Sequence, residues 1–271
     1  MVRALWSAAS GMISQQNNVD TIANNIANVN TTAYKSEVNE FKSLLYQTLQ
    51  TKTTTANGEN KSIGAQVGLG VRNASITSQF TQGAMLASEN TFSFAISGKG
   101  FFAVRGEDGN TYYTRNGNFN ISVGVDGMTL SDTDGNPVLN SEGNPIVFDD
   151  NIVASKVTIS ADGQLLYPDA ENNPQPMGIQ LGSWQFLNPA GLDKAGDSMY
   201  AVTAASGVAM NEATNDNLDK SSIVQGYLEG SNVQVADEMV NLIVAQRAYE
   251  MNSKAIQAAD DMMSQANQLR R

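Results

Sequence analysis

The sequence predicts an α+β protein: N- and C-terminal helices paired as a coiled-coil-like inner layer, with a central antiparallel β-rich domain. Apolar residues recur at seven-residue intervals at both ends of the 271-residue chain. Between them lie short runs rich in β-branched and aromatic residues, separated by Asp-Gly and Asn-Gly turns. We expect a helical assembly domain at 1–34 and 231–271, an extended linker at 35–68 and a β-rich body at 69–230.

The N-terminal helix is predicted from a narrow apolar seam. Its heptad positions, with two residues that follow at a spacing of three, are Leu5, Met12, Val19, Ile22, Ile26 and Val29. Asparagines crowd the same segment, and asparagine has poor helix propensity. A short helix of this kind is weak alone because nucleation is costly. Amide side chains both donate and accept hydrogen bonds, so we expect the segment to become ordered when it packs in an assembly.

The C-terminal helix repeats this pattern. Its seam residues lie seven apart: Val235, Leu242, Tyr249, Ile256 and Met263. Small residues follow the last four at a spacing of three, at Ala245, Asn252, Ala259 and Ala266. The alternative is a pair of amphipathic helices lying on a globular core. The terminal position of both helices and their narrow seams favour assembly.

The linker and the body differ in their local signals. Residues 49–62, LQTKTTTANGENKS, are polar and aperiodic, and we expect an extended loop that becomes ordered on assembly. The predicted strands of the body are 92–96, 101–105, 111–115, 119–123, 156–159 and 164–167. The predicted turns between strands are at 108–109, 116–117, 126–127, 134–135 and 162–163. Turns at such short spacing indicate an antiparallel sheet or sandwich.

Composition argues against several functions. The net charge is −11, which disfavours nucleic acid as a partner because that partner requires a basic surface. The chain has no cysteine and no histidine, so it lacks thiol nucleophiles, imidazole bases and the commonest zinc ligands. The N-terminus does not resemble a cleaved secretory signal, and no apolar run approaches a membrane span of about 20 residues. We therefore expect any export to proceed without a cleaved signal.

The candidate calcium-binding and nucleotide-binding motifs do not match their templates. Asp132, Asp134 and Asn136 have the opening spacing of a calcium loop, but Pro137 and Gly143 occupy the positions that require glycine and glutamate. A hairpin turn is the better interpretation. The GLG and GKG stretches at 68–70 and 98–100 lack the third glycine of a nucleotide loop. We predict no catalytic residue, no metal site, no cofactor and no small-molecule substrate, and hence no enzyme.

Several stretches resemble bacterial flagellar rod and hook proteins. The terminal motifs are ANNIANVNTTAYK at 23–35 and GSNVQVADEMVNLIVAQRAYEMNSKAIQAADDMM at 230–263. AISGKGFFAV at 95–104 and YTRNGNF at 113–119 are similar to internal motifs of the same family. The stretches MVRALWSAASGM and FKSLLYQT most resemble its distal rod members. The family usually has glycine where this chain has Ala33, so a positive-φ turn at that position is left open.

The resemblance implies a structural role in the flagellar basal body. It implies that subunits stack helically through their terminal helices into a hollow shaft that transmits motor torque to the hook. The implied partners are further copies of the chain, neighbouring rod and hook proteins, ring proteins around the rod and the flagellar type III export apparatus. The alternatives are a flagellar hook or proximal rod protein or, outside the family, a secreted β-rich adhesin.

Overall fold

The structure is a computed structural model that describes residues 2–50, 64–124, 127–148, 152–153, 156–169, 171, 173–215 and 217–269. It confirms a helix at each end of the chain and a β-rich region between them, so the α+β class is right in outline. The chain divides into two compact units. Unit 1 contains both helices and the first four strands. Unit 2 contains Asn28–Ser36 and Gln79–Val233 with all the other strands.

Unit 1 consists of two long helices and a pair of two-stranded ribbons. Its elements are α1 (Val2–Ala27), β1 (Glu37–Ser43), β2 (Tyr46–Gln50), β3 (Ala65–Gly68), β4 (Val71–Ser78) and α2 (Val235–Gln268). β1 pairs with β4 and β2 with β3, both antiparallel. We call β1–β4 the arm. The amide of Leu44 donates to the carbonyl of Gly70 at 2.9 Å, which continues the pairing between the two ribbons.

Three strands of the arm, β1, β2 and β3, lie in the segment 35–68 that was predicted as an extended linker, and β4 lies at the start of the predicted body. The strands of the arm were not identified from sequence because Glu37–Ser43 is largely polar, without the apolar alternation of a half-buried strand. Of the loop predicted at 49–62, Leu49 and Gln50 belong to β2, and the rest lies outside the described residues. The predicted domain boundaries stay a prediction.

Unit 2 is built from short antiparallel strands. They are β5 (Met85–Ala87), β6 (Phe94–Ser97), β7 (Phe102–Arg105), β8 (Thr111–Thr114), β9 (Asn120–Gly124), β10 (Gly127–Ser131), β11 (Val147–Phe148), β12 (Thr158–Ile159), β13 (Gln164–Pro168), β14 (Pro174–Gln180), β15 (Trp184–Gln185), β16 (Asp193–Gly196), β17 (Met199–Ala201), β18 (Met210–Asn211), β19 (Ser222–Gln225) and β20 (Tyr227–Glu229). The largest sheet has the order β16-β17-β8-β7. Two three-stranded sheets have the orders β11-β10-β9 and β12-β13-β14, and the remaining strands form pairs.

The core of unit 2 is rich in phenylalanine. Phe94, Phe102 and Phe119 are fully buried beside Leu130. Phe102 and Phe119 meet edge to face, with ring centroids 5.2 Å apart. Such pairs add about 0.5–1.5 kcal/mol to the free energy gained by burial alone. This core lies within unit 2, which therefore has the apolar interior of a folding unit.

Local turn signals predicted most of the hairpins correctly. Gly109, Gly135 and Gly163 adopt positive φ in turns at the predicted positions. The stretch 131–137 forms a hairpin turn, in which the amide of Asp132 donates to the carbonyl of Asn136 at 2.9 Å. The hairpin predicted at 116–117 was wrong. Gly117 instead packs against the backbone of Phe94, where a Cβ would collide with its carbonyl oxygen, so the glycine serves close packing.

Candidate assembly surfaces

The two helices of unit 1 lie antiparallel and approach closely. The side-chain Nδ2 of Asn25, near the end of α1, donates to Glu238 Oε1 in the first turn of α2 at 3.0 Å. Near the middle of both helices, a Cβ on Gly11 would lie 2.8 Å from Asn252 Nδ2, so a larger residue there would displace the Asn252 side chain. Small residues on both helices are buried, among them Ala8, Ala245 and Ala259.

The predicted seam residues have different positions relative to this contact. Ile22 is buried, whereas Leu5, Met12, Val19, Ile26, Leu242, Ile256 and Met263 are half-buried. Val235 and Tyr249 are exposed, although Val19 and Tyr249 line one groove on the helix pair. Val29 is half-buried and lies beyond the end of α1. Their role in assembly stays a prediction.

A row of exposed apolar residues on α2 was missed. Its members are Met239, Val240, Ile243, Val244, Met251 and Met262. From first to last the row spans about 35 Å at the helical rise of 1.5 Å per residue. α1 carries Trp6, 68% exposed, and Ile13 one heptad later. A single heptad frame describes only the predicted seam of α2. The exposed residues form a second row at helical spacing.

The strands of unit 1 also expose apolar side chains. Val38, Phe41, Leu45, Tyr46, Leu49 and Ile76 are all exposed. A two-stranded ribbon is marginally stable by itself in water and usually requires a further packing partner. The arm is supported on one side by α1, where the hydroxyl of Ser10 accepts a hydrogen bond from the amide of Val71 at 3.3 Å. Its exposed residues are therefore a second candidate assembly surface.

A buried amide joins three elements of unit 1. Asn25 is 1% exposed, and its side chain pairs with the backbone of Glu37 in both directions, at 2.9 Å as donor and 2.8 Å as acceptor. The same amide nitrogen donates to Glu238. We call this arrangement the amide pin. It explains how one asparagine of the crowded motif contributes to the fold. The side chain of Asn25 satisfies the backbone N–H and carbonyl of Glu37 at the start of β1.

Unit 2 contains a buried ionic cluster. Lys35 Nζ lies 2.6 Å from Glu229 Oε1, and Arg115 Nη1 lies 3.1 Å from Glu229 Oε2, with all three side chains at most 2% exposed. Burial lowers the pKa of Lys35, while the charge of Glu229 acts in the opposite direction. The guanidinium also stacks over the ring of Phe101 at 5.2 Å. The cluster escaped sequence reasoning because its members are far apart in the chain.

Among the described residues, no group of three or more carboxylates could hold a metal ion. Within the same part of the chain, neither helix is apolar enough over a sufficient length to cross a membrane.

Asp132 is buried in its hairpin turn, and this burial raises the pKa of its carboxyl group, with a smaller contribution from the nearby charges of Asp134 and Asp197.

Comparisons with known proteins match the chain from end to end. The family model "Flagella basal body rod protein" matches residues 5–35, "Flagellar hook protein FlgE/F/G D1 domain" matches 95–167, and "Flagellar basal body rod FlgEFG protein C-terminal" matches 224–269. The chain is similar to the "Flagellar basal-body rod protein FlgG" of Borreliella burgdorferi, with 42% identity over all of both chains. The proteins of the same name from Agrobacterium fabrum and Bacillus subtilis are 40% and 36% identical, over 97% and 100% of both chains.

Proposed function

Since the chain belongs to the FlgG family of flagellar basal-body rod proteins, we propose that it builds the distal rod by helical stacking of unit 1. It is a structural subunit of the bacterial flagellar basal body, where it assembles with other rod and hook components, and it is not an enzyme. The adhesin interpretation has no support among these relatives. The rod name of the full-length relatives favours a rod protein over a hook protein.

The observation that carries the proposal is the exposed apolar row on α2. Six large apolar side chains are exposed on this helix, and extended exposed apolar patches mark interaction sites in soluble proteins. In a polymer, neighbouring copies would cover this row and also Trp6 and Ile13 on α1. The seam residues would then pack between and within subunits in a coiled-coil-like layer, and unit 2 would remain a folded body attached to that layer.

The remaining parts of the proposal concern geometry and delivery. A closed helical array of such subunits forms a hollow shaft that transmits motor torque to the hook. The ring proteins around the rod are candidate contacts. The type III export apparatus would deliver the chain unfolded or partly folded. This suits unit 1, because many of its large apolar residues are exposed in the single subunit.

The test is a buried charge in the helical layer. Ile256→Asp should abolish motility, because it places a carboxylate in an apolar contact at a cost of several kcal/mol in every subunit. The melting of unit 2 should not change. The matched control, Gln257→Asp, adds the same charge at an exposed polar position of the same helix. Motile cells with normal levels of the Ile256→Asp protein would contradict the proposal.

A further inference from the structure

The buried ionic cluster of unit 2 is assembled from four separate stretches of chain. Lys35 follows α1 in sequence, and Glu229 ends β20 shortly before α2. Lys35 Nζ also donates to the carbonyl of Thr81 at 2.8 Å, and Glu229 Oε1 accepts from the amide of Gly83 at 2.9 Å. Arg115 lies between these stretches in sequence. The cluster is complete only when both ends of unit 2 and its middle have come together.

Backbone bonds join the same two chain ends. The amide of Ala33 donates to the carbonyl of Glu229 at 2.8 Å, and the amide of Asn232 donates to the carbonyl of Tyr34 at 3.4 Å. The side-chain oxygen of Asn232 accepts from the amide of Ser36 at 2.7 Å. Residues 28–36 are therefore held against residues 229–232, and the ion pair of Lys35 with Glu229 lies among these bonds.

The charges make this docking all-or-none. The cluster has two cations and one anion, and Arg115 Nη2 donates to the carbonyl of Gly98 at 2.6 Å. Without Glu229, docking residues 28–36 would bury Lys35 beside Arg115 with no carboxylate between them. Burying an unpaired charge is strongly unfavourable. The carboxylate that compensates the buried charge of Lys35 therefore comes from the C-terminal end of unit 2.

We propose that Lys35, Arg115 and Glu229 form a latch that lets residues 28–36 dock only after the last strand of unit 2 has folded. Because the segments it closes lead into α1 and α2, the latch makes both helices available for assembly at the same stage. This last consequence depends on the proposed function. The closing of the latch itself does not, and it can be measured on the isolated chain.

The first test is acetylation of lysine amines, read by mass spectrometry. In the unaltered chain Lys35 should be acetylated far more slowly than Lys99, whose side chain is 79% exposed. Glu229→Gln should speed acetylation of Lys35 by about tenfold or more, as local opening exposes the amine, while acetylation of Lys99 and, in a Trp6→Phe background, the fluorescence of Trp184 stay unchanged. The control is Glu212→Gln, which removes another buried carboxylate, bonded to Gln185 and Ser221. It should leave Lys35 protected.

A second variant separates a latch from a part of the core. Lys35→Met leaves Glu229 paired with Arg115. Unit 2 should therefore stay folded in this variant, even if the Glu229→Gln chain unfolds. Hydrogen exchange at Ala33 and Ser36 should then be about tenfold faster or more, with the amide of Val104 unchanged. Unchanged exchange at Ala33 and Ser36 would overturn the proposal. Loss of protection at Val104 as well would also overturn it, because the cluster would then belong to the core.

Folding order is measured by pulsed acetylation during refolding of a Trp6→Phe chain, in which Trp184 reports on unit 2. Protection of Lys35 should appear with the slowest phase of Trp184 fluorescence, and protection that precedes this phase would overturn the proposal. An unaltered chain that shows the latch but never enters rods would refute the proposed function and leave the latch intact.

Discussion

Units 1 and 2 bury different kinds of side chain. The buried apolar residues described in unit 1 are three alanines, Ala8, Ala245 and Ala259, and Ile22, whereas its other large apolar residues are half-buried or exposed. Unit 2 buries a continuous set of phenylalanine, leucine, isoleucine and valine side chains. Burying one large apolar side chain contributes about 1.5–3 kcal/mol. Unit 2 therefore has an apolar core of its own, whereas under the proposed function neighbouring copies would cover the apolar surface of unit 1.

The polar interiors of the two units differ in the same direction. Unit 1 uses a neutral amide pin at Asn25, whose side chain hydrogen-bonds with β1 and α2. Unit 2 buries full charges in its latch. A neutral amide costs less to expose to water than an ion pair costs to break inside a protein. The polar contact of unit 1 is therefore cheaper to open than that of unit 2.

The largest expected effect comes from truncating one aromatic side chain in unit 2. Phe94→Ala removes a fully buried ring that packs on Phe92 and Phe119, and it should destabilise unit 2 by about 3–5 kcal/mol. The matched change in unit 1 is Trp6→Ala, which removes an even larger but exposed ring and should leave the melting of the monomer unchanged. Thermal melting by near-ultraviolet circular dichroism measures both. Equal losses of stability would remove the distinction between the units.

A charge in the amide pin tests unit 1 in the assembly. Asn25→Asp places a carboxylate against Glu238 and the carbonyl of Glu37 in a buried site, at a cost of about 3 kcal/mol. Incorporation into purified basal bodies should fall by about a hundredfold. The melting of unit 2 should not change. The control is Asn24→Asp, one residue earlier at an exposed position. If both variants are incorporated equally, the pin does not stabilise the assembled state.

A stabilising change tests whether residues 28–36 belong to unit 2. Ala33 is buried at φ 59°, a conformation that costs a residue with a Cβ about 1–2 kcal/mol. Ala33→Gly should therefore stabilise unit 2 by about 1 kcal/mol, seen as a higher Tm. The control is Ala95→Gly, a buried alanine within β6, which should destabilise by a similar amount. A Tm that stays constant in Ala33→Gly would mean that this segment is not part of the cooperative unit.

Local signals in the sequence predicted the parts of the fold that local chemistry determines. The terminal helices followed from apolar spacing, and the hairpin at 131–137 followed from its Asp-Gly turn. Ala33 shows the limit of such signals. Alanine disfavours positive φ, but the hydrogen bond from its amide to Glu229 holds it there, and the bonded residue is almost two hundred positions away.

The candidate sites were harder to predict than the elements that carry them. Lys35 and Glu229 are 194 residues apart, so nothing near either residue signals that they pair. The exposed row on α2 was not predicted, for a different reason. Apolar residues occupy both sides of that helix, and a single heptad frame describes one side. The second side was visible in the sequence as Met239, Val240, Ile243 and Val244, next to the chosen seam residue Leu242.

The smallest expected effect concerns a cost of burial in unit 2. Burial raises the pKa of Asp132 in the folded state, so the folded chain binds this proton more tightly than the unfolded chain. The ionised carboxylate then destabilises unit 2 above the raised pKa, and the cost disappears below the ordinary pKa of about 4. Asp132→Asn keeps an oxygen to accept the amide of Thr133, so its Tm should exceed that of the unaltered chain at pH 7 and match it near pH 3. Melting across this pH range measures the difference. Asp162→Asn removes the same charge from an exposed hairpin turn, and an equal gain in that variant would assign the effect to net charge rather than to burial.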